Sequence, residues 1–543
     1  MTRIALVMGG GASLGSYIGG ALTEIITAVE KNRRGERVVI DVITGSSAGA
    51  LNAALAARTL RVNRHLLPWI ERTWVEAADA SVLLDPTRRD RNGWLDVSVL
   101  EDLALALVDS EPASDDLRSP AAGDPIHVGI TLANLYGVAY DYSFKFLNAP
   151  DCSYGARTHA DHIAFRLGDE NRAGDGVWRK MAEAAVASAS FPFAFPPRQL
   201  ERNRGDYPGA RFGAGRGSSI DMWYLDGGLF DNAPLGLARD LAAELDRGAD
   251  RRYLFIEPGL QSSTRLPHSP EGPPSTVSGM AEALARALLG QGAARDWKGA
   301  NKINARLEIL HAVVDRLPEV APDLADAKAL GLGRYIGELA ERVAEAHVAA
   351  GAAPDSPDAA DDYLDSQLER IESDPTYAPA LERIGSRSGR ARLSKMIFVL
   401  ESAAGLEDKD VLPLYLVAPE RMGSLAGDFL GNFGGFFSRD WRANDFRAGR
   451  RDARRVLQET LSDVISYEPE KGSEYRVEPL TPGFDAIPAA GRARLKALVD
   501  SEADRILSEL RPGPLASAFG WVWKPVVRRW AADRAMAALR GAR

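Results

Sequence analysis

Ser47 is the residue whose surroundings speak most directly of chemistry. It sits in Gly45-Ser46-Ser47-Ala48-Gly49, a G-x-S-x-G pattern, and only Ser47 has glycine two residues away on both sides. The β-branched run VVIDVI (38–43) before it reads as a buried strand, and the Ala/Leu-rich residues after it read as a helix. Strand, tight turn and helix in that order are the setting of a nucleophile elbow. A serine on so sharp a turn leaves no room for flanking Cβ atoms, which is what Gly45 and Gly49 supply. A helix beginning at the serine adds free amides and a positive dipole end that favour negative charge. The competing reading is a small-residue turn that holds nothing.

A serine nucleophile needs a group to take its proton. Histidine is the usual one, and seven are present: His65, His127, His159, His162, His268, His311 and His347. None lies at a strand end. In a Ser–acid–His order only His268, His311 and His347 qualify, and all fall in linker or helical stretches. Asp226 is placed differently. It closes the apolar run MWYLD and is followed by Gly227 and Gly228, so its carboxylate is expected at a strand end, where parallel-sheet sites are built. The loop Gly9-Gly10-Gly11-Ala12-Ser13-Leu14-Gly15 follows a first strand (residues 3–8) and opens a helix. It breaks the dinucleotide fingerprint and lacks a P-loop ending, but it presents backbone N–H groups, which are all that an oxyanion hole requires. His159-x-x-His162 has metal-pair spacing without a third ligand beside it, so no metal site is expected.

These groups need elements to carry them. Apolar residues from Leu14 to Val29 recur at helical spacing, so two consecutive βα units open the chain and call for a parallel sheet with covering helices. Helix is expected over 66–108, broken near Asp85-Pro86-Thr87-Arg88-Arg89. Strands are expected at 126–135 and 137–147, joined by a short turn, and at 253–257 and 412–418. Helical spacing at 178–187 leads into AVASASFPFAFPPRQL, and 202–219 reads as a loop. The predicted divisions are a catalytic core at 1–261, a helical insertion or second layer at 262–404, a return to the core with further helix at 405–510, and a basic, Trp-containing segment at 511–543. The glycine-aromatic run within 425–453 carries no assignable chemistry. No internal repeat is present.

Composition sets the outer bounds. The chain has 543 residues with a formal net charge of −9, and a single cysteine, Cys152. One cysteine rules out an internal disulfide framework and fits a reducing, cytoplasmic compartment. No secretory signal and no membrane-spanning stretch are expected. The charge is uneven: residues 511–543 hold seven basic residues against Asp533, leaving the remainder at −15. An acidic body argues against nucleic-acid binding. The segment 515–543, with Trp521, Trp523 and Trp530, suits either peripheral contact with an anionic membrane or a helix packed on the body.

Taken together, the glycine loop, the G-x-S-x-G, the AVASASFPFAFPP segment, Asp226-Gly227-Gly228 and Asn232-x-Pro234 resemble the patatin-like phospholipases over residues 3 to about 258. The resemblance implies a three-layer α/β/α core with a mainly parallel sheet, carrying a mostly helical extra region. It implies a lipid acyl hydrolase of phospholipase A or lysophospholipase type, needing neither metal nor cofactor and taking a lipid ester as substrate. Ser47 is then the nucleophile and Asp226 its partner in a dyad, and the amides of Gly10, Gly11 and Ala12 form the oxyanion hole. Alternatives are a Ser-His-Asp esterase and a non-catalytic scaffold. Two positions depart from the family's loop: Ala12 replaces its third glycine and Leu14 its basic residue. Ala12 still supplies an N–H, on the condition that its φ stays negative.

Overall fold

Strand β1 (Thr2–Met8) lies inside a sheet whose order is β5-β6-β3-β2-β1-β7-β8, with β4 on the remaining edge of β3. The other strands are β2 (Val38–Gly45), β3 (Ala122–Phe144), β4 (Cys152–Leu167), β5 (Arg198–Asn203), β6 (Ser219–Asp226), β7 (Arg251–Ile256) and β8 (Leu414–Val417). The computed structural model describes residues 1–84, 95–96, 117–144, 152–192, 194–212, 217–246, 249–259, 299, 302–319, 330–350, 359–406, 412–419, 425–469, 475–480 and 482–509. The predicted segment 515–543 and His268 lie outside them.

Strands β1, β2, β7, β8 and the first half of β3 run parallel, while β4, β5 and β6 are antiparallel additions. The parallel strands are almost wholly apolar, as burial on both faces demands. Helices α1 (Gly15–Glu30), α2 (Ala48–Arg61) and α3 (Gly176–Ser188) belong to one covering layer, and α4 (Leu235–Leu245) covers the opposite face. This is the expected α/β/α arrangement.

The chain divides into two compact units, Met1–Asp296 with Leu414–Arg543, and Trp297–Pro413. The second unit contains helices α5 (Leu330–Ala350), α6 (Ala359–Ser373) and α7 (Arg387–Ala404), which share a core including Leu364, Ile371, Leu393, Ile397 and Phe398. In the first unit, α8 (Arg439–Glu459) lies against α1. The two helices meet backbone to backbone: a Cβ on Gly20 would strike the Phe446 carbonyl, and one on Gly449 the Tyr17 carbonyl. Glu24, buried on α1, ties the pair together through Arg450 at 3.0 Å and Arg454 at 2.7 Å. Against the upward push of burial, the hydrogen bonds from Arg454 and Tyr467 hold its carboxyl below the ordinary range. Helix α9 (Ala489–Glu509) closes the described chain.

Two expectations are corrected. The stretches 126–135 and 137–144 are one strand, β3, bent at a bulge rather than broken by a turn, and the expected strand residues 145–147 lie outside the described ones. Asn134 Oδ1 accepts the amides of Tyr136 and Gly137 there, and Gly137 takes φ 70°. Residues 202–219 are not one loop, because β5 and the 3₁₀ turn Arg204–Asp206 occupy their beginning. The segment Ala12–Glu30 is long and apolar enough to cross a membrane by length and composition alone, and 89 % of its most apolar 18-residue window is buried inside the fold.

Candidate active site

The carboxyl ends of β1, β2 and β7 lie side by side, with Met8 opposite both Gly45 and Ile256. The glycine loop, the serine and Glu257 therefore leave the sheet at the same edge, the place where α/β proteins assemble sites. Asp226 arrives from the other direction. Residues 126–133 of β3 pair with β4 along one edge, so β2 and β6 share the other. Strand β2 ends at Gly45 opposite Ile130, and β6, running antiparallel to β3, ends at Asp226 opposite Leu132. Two strands abut on one edge, and Ser47 and Asp226 face each other across the gap.

The Ser47 hydroxyl donates to Asp226 Oδ2 at 2.6 Å. Ser47 has φ 52° and ψ −122°, an unfavourable conformation for a residue with a Cβ and the kind of strain that clusters at reacting groups. The turn is tight because Cβ atoms at its flanks would collide: one on Gly45 with the Gly49 carbonyl, one on Gly49 with the Met8 carbonyl. The Ser47 amide donates to Ser188 Oγ at 2.9 Å, and Ala48 begins α2. Ser46 is fully buried. Ser47 is 8 % exposed and Asp226 1 %.

Asp226 is fixed on three sides. Its amide donates to Ser190 O at 2.9 Å, its Oδ1 accepts the Gly228 amide at 2.8 Å, and its Oδ2 accepts from Ser47. Gly227 and Gly228 form the 3₁₀ turn that brings this amide back. Burial pushes the Asp226 carboxyl up to about 7, against the downward pull of the Ser47 and Gly228 hydrogen bonds. A carboxylate so perturbed can act as a base near neutral pH.

The three loop amides are not equivalent. Gly10 donates to Asn232 Oδ1 at 3.0 Å, so its N–H is occupied in holding the loop to the Asn232-x-Pro234 segment. Gly11 and Ala12 have no such bond among the described residues. Ala12 adopts φ 45°, against the condition set by sequence reading. A residue with a Cβ tolerates this left-handed conformation at about 1–2 kcal/mol, and Ala12 lines the slot beside Ser47. Leu14, in the position of the family's basic residue, is buried and packs against Gly427.

Several contributors escaped sequence reading. Ser188 and Ser190, within the AVASASFP stretch, anchor Ser47 and Asp226: Ser188 Oγ accepts the Ser47 amide and the Ser190 carbonyl accepts the Asp226 amide. Glu257 is fully buried behind Gly9; its Oε1 accepts the Gly259 amide at 2.9 Å, Oε2 has no partner among the described residues, and burial raises it to about 8. Trp74 lies on a π-helical turn, Arg72–Ala77, and its ring meets Gly15. An apolar slot of about 30 Å³ above Ser47 is walled by Leu51, Trp74, Phe191, Phe195, Phe433 and Phe436. Phe433 and Phe436 come from the glycine-aromatic run.

No imidazole intervenes between Ser47 and Asp226. His311 and His347 belong to the second unit, where their rings meet Tyr377 and Tyr363. His159 Nδ1 is 2.9 Å from Asn134 O, and the His162 carbonyl accepts from Arg202. Among the described residues, no three His, Cys, Asp or Glu side chains are grouped to hold a metal.

Residues 416–510 match a family model described only as a protein of unknown function. An uncharacterized membrane protein of Mycobacterium tuberculosis is 28% identical over 313 residues, which cover 54% of this chain and 28% of that protein. An uncharacterized protein of Sinorhizobium fredii is 23% identical over 372 residues, half of each chain. The chain thus spans half or less of the length of these relatives. Residues 6–239, which carry the glycine loop, the serine and the acid, match the family model of the patatin-like phospholipases.

Proposed function

We propose that the protein is a lipid acyl hydrolase of phospholipase A or lysophospholipase type, working through a Ser47–Asp226 dyad. The observation that carries this reading is the 2.6 Å hydrogen bond from the Ser47 hydroxyl to a buried carboxylate. Asp226 Oδ2 takes the hydroxyl proton as Ser47 Oγ attacks the ester carbonyl carbon. The carbonyl oxygen becomes an oxyanion, stabilised by the amides of Gly11 and Ala12, while Gly10 and Asn232 hold the loop in place. Collapse breaks the bond to the alcohol, which leaves with the proton from Asp226. Water then attacks the acyl-enzyme, gives its proton to Asp226, and Ser47 departs as the proton returns. No step needs a metal or a cofactor. The match of residues 6–239 to the patatin-like phospholipases and the apolar walls around Ser47 support a lipid ester as the substrate.

A fluorophosphonate probe with a panel of phospholipids and lysophospholipids tests this. Labelling at Ser47 that disappears in Ser47→Ala, together with release of fatty acid, is the expected result. An unlabelled, folded protein would return the scaffold reading. Loss of turnover in His268→Ala, His311→Ala or His347→Ala with folding intact would favour the triad.

A further inference from the structure

Residues Leu425–Phe437 lie within the module of unknown function, and the fold places them over the glycine loop. Their backbone passes through three successive left-handed residues, Leu430 (φ 54°), Gly431 (φ 63°) and Asn432 (φ 74°). Two of these carry side chains, so the bend persists only where its surroundings hold it. That hold is on both sides. Ser13 Oγ, next to Ala12, donates to Asn432 O at 2.7 Å and accepts the Gly435 amide at 3.0 Å. On the other side, Asp445 of α8 accepts the amides of Ala426 and Gly427 at 2.9 and 2.8 Å. The bend delivers two rings: Phe433 meets Phe191 edge-on at 5.6 Å, and Phe436 at 5.8 Å.

During acyl transfer the alcohol leaves while the acyl chain stays attached to Ser47. An apolar slot suits the part that stays. The slot is small, about 30 Å³, and Phe433 and Phe436 are among the rings lining it, so a chain entering it soon meets them. We propose that Phe433 and Phe436 are specificity-determining residues: they form the end wall of the acyl pocket, and the module of unknown function thereby sets which acyl lengths Ser47 accepts. This rests on the reading of Ser47 as the acyl-enzyme nucleophile.

The test is a series of p-nitrophenyl esters from acetate to dodecanoate, assayed with the full chain and with Phe433→Ala, Phe436→Ala and Phe433→Trp. Removing a ring is expected to move the preferred length upward, each methylene newly admitted being worth about tenfold or more in kcat/KM. Phe433→Trp is expected to move it downward. If an alanine variant does not fold, Phe433→Leu and Phe433→Trp carry the same comparison. Length profiles that superimpose on that of the parent, in folded variants whose parent is labelled at Ser47, overturn this assignment alone. A parent that no fluorophosphonate labels removes the hydrolase reading, and this inference with it.

Discussion

Asp226 must be ionised before it can take the Ser47 proton, and burial works against ionisation by lifting its carboxyl to about 7. Below that pH the group is protonated and cannot act as a base. The expected profile of kcat/KM on a soluble ester therefore climbs about tenfold per pH unit toward 7 and levels off above it. Asp226→Asn is expected to lower kcat by about 10²–10⁴ and to abolish that limb, with circular dichroism unchanged; a limb that survives belongs to another group. Stability slopes the other way. A carboxyl whose folded value is raised stabilises the fold below its unfolded value, and that contribution is lost as pH rises through the folded one. Glu257, raised to about 8 by burial, extends the loss into the alkaline range. Glu257→Gln keeps an acceptor for the Gly259 amide without an ionisable group. Its urea midpoint is expected to fall less than that of the parent between pH 6 and pH 9, and an unchanged slope would show that Glu257 is not the source.

Helix α1 begins at the glycine loop, so whatever fixes α1 fixes the amides beside Ser47. What fixes it is α8, crossing so closely that Gly20 and Gly449 leave no space for a methyl group. Gly449→Ala is expected to force the helices apart at about 1–3 kcal/mol, read as a lower urea midpoint and, because the loop shifts with α1, a parallel loss of turnover. Destabilisation without loss of turnover would mean that the loop is held by Asn232 and Ser13 alone. This contact also marks where sequence reading stops. The βα units around residues 3–60 were readable because buried parallel strands and an apolar helix face leave local periodicity, and Asp226 stood out because an apolar run ends on it. Strand β4 was missed because its polar residues, exposed along much of its length, carry no apolar alternation. The approach of α8 to α1, the hydrogen bond from Ser47 to Ser188 and the rings over Ser47 arise from pairings across more than 100 residues, and no local pattern records them.

For the molecule as a whole, charge is distributed so that the acidic bulk and the basic end act in opposite senses at a lipid surface. The chain excluding 511–543 carries −15, which an anionic bilayer repels, whereas 511–543 pairs seven basic residues with three tryptophans. Near such a surface each basic side chain contributes about 1 kcal/mol of attraction, falling off within a Debye length, and tryptophan favours the interface. If that end brings the enzyme to its substrate, a chain ending at Arg511 should still hydrolyse monomeric esters, because the dyad and its supports lie earlier. It should lose binding to vesicles containing anionic lipid and, with it, turnover of lipid presented in them. Raising salt should weaken the binding of the full chain to those vesicles, and vesicles of neutral lipid should retain neither form well. Sedimentation of both chains with vesicles of each kind measures this. Equal binding of the shortened chain to anionic vesicles would assign 515–543 to packing on the body instead, and would leave delivery of the ester to the slot walled by Phe433 and Phe436.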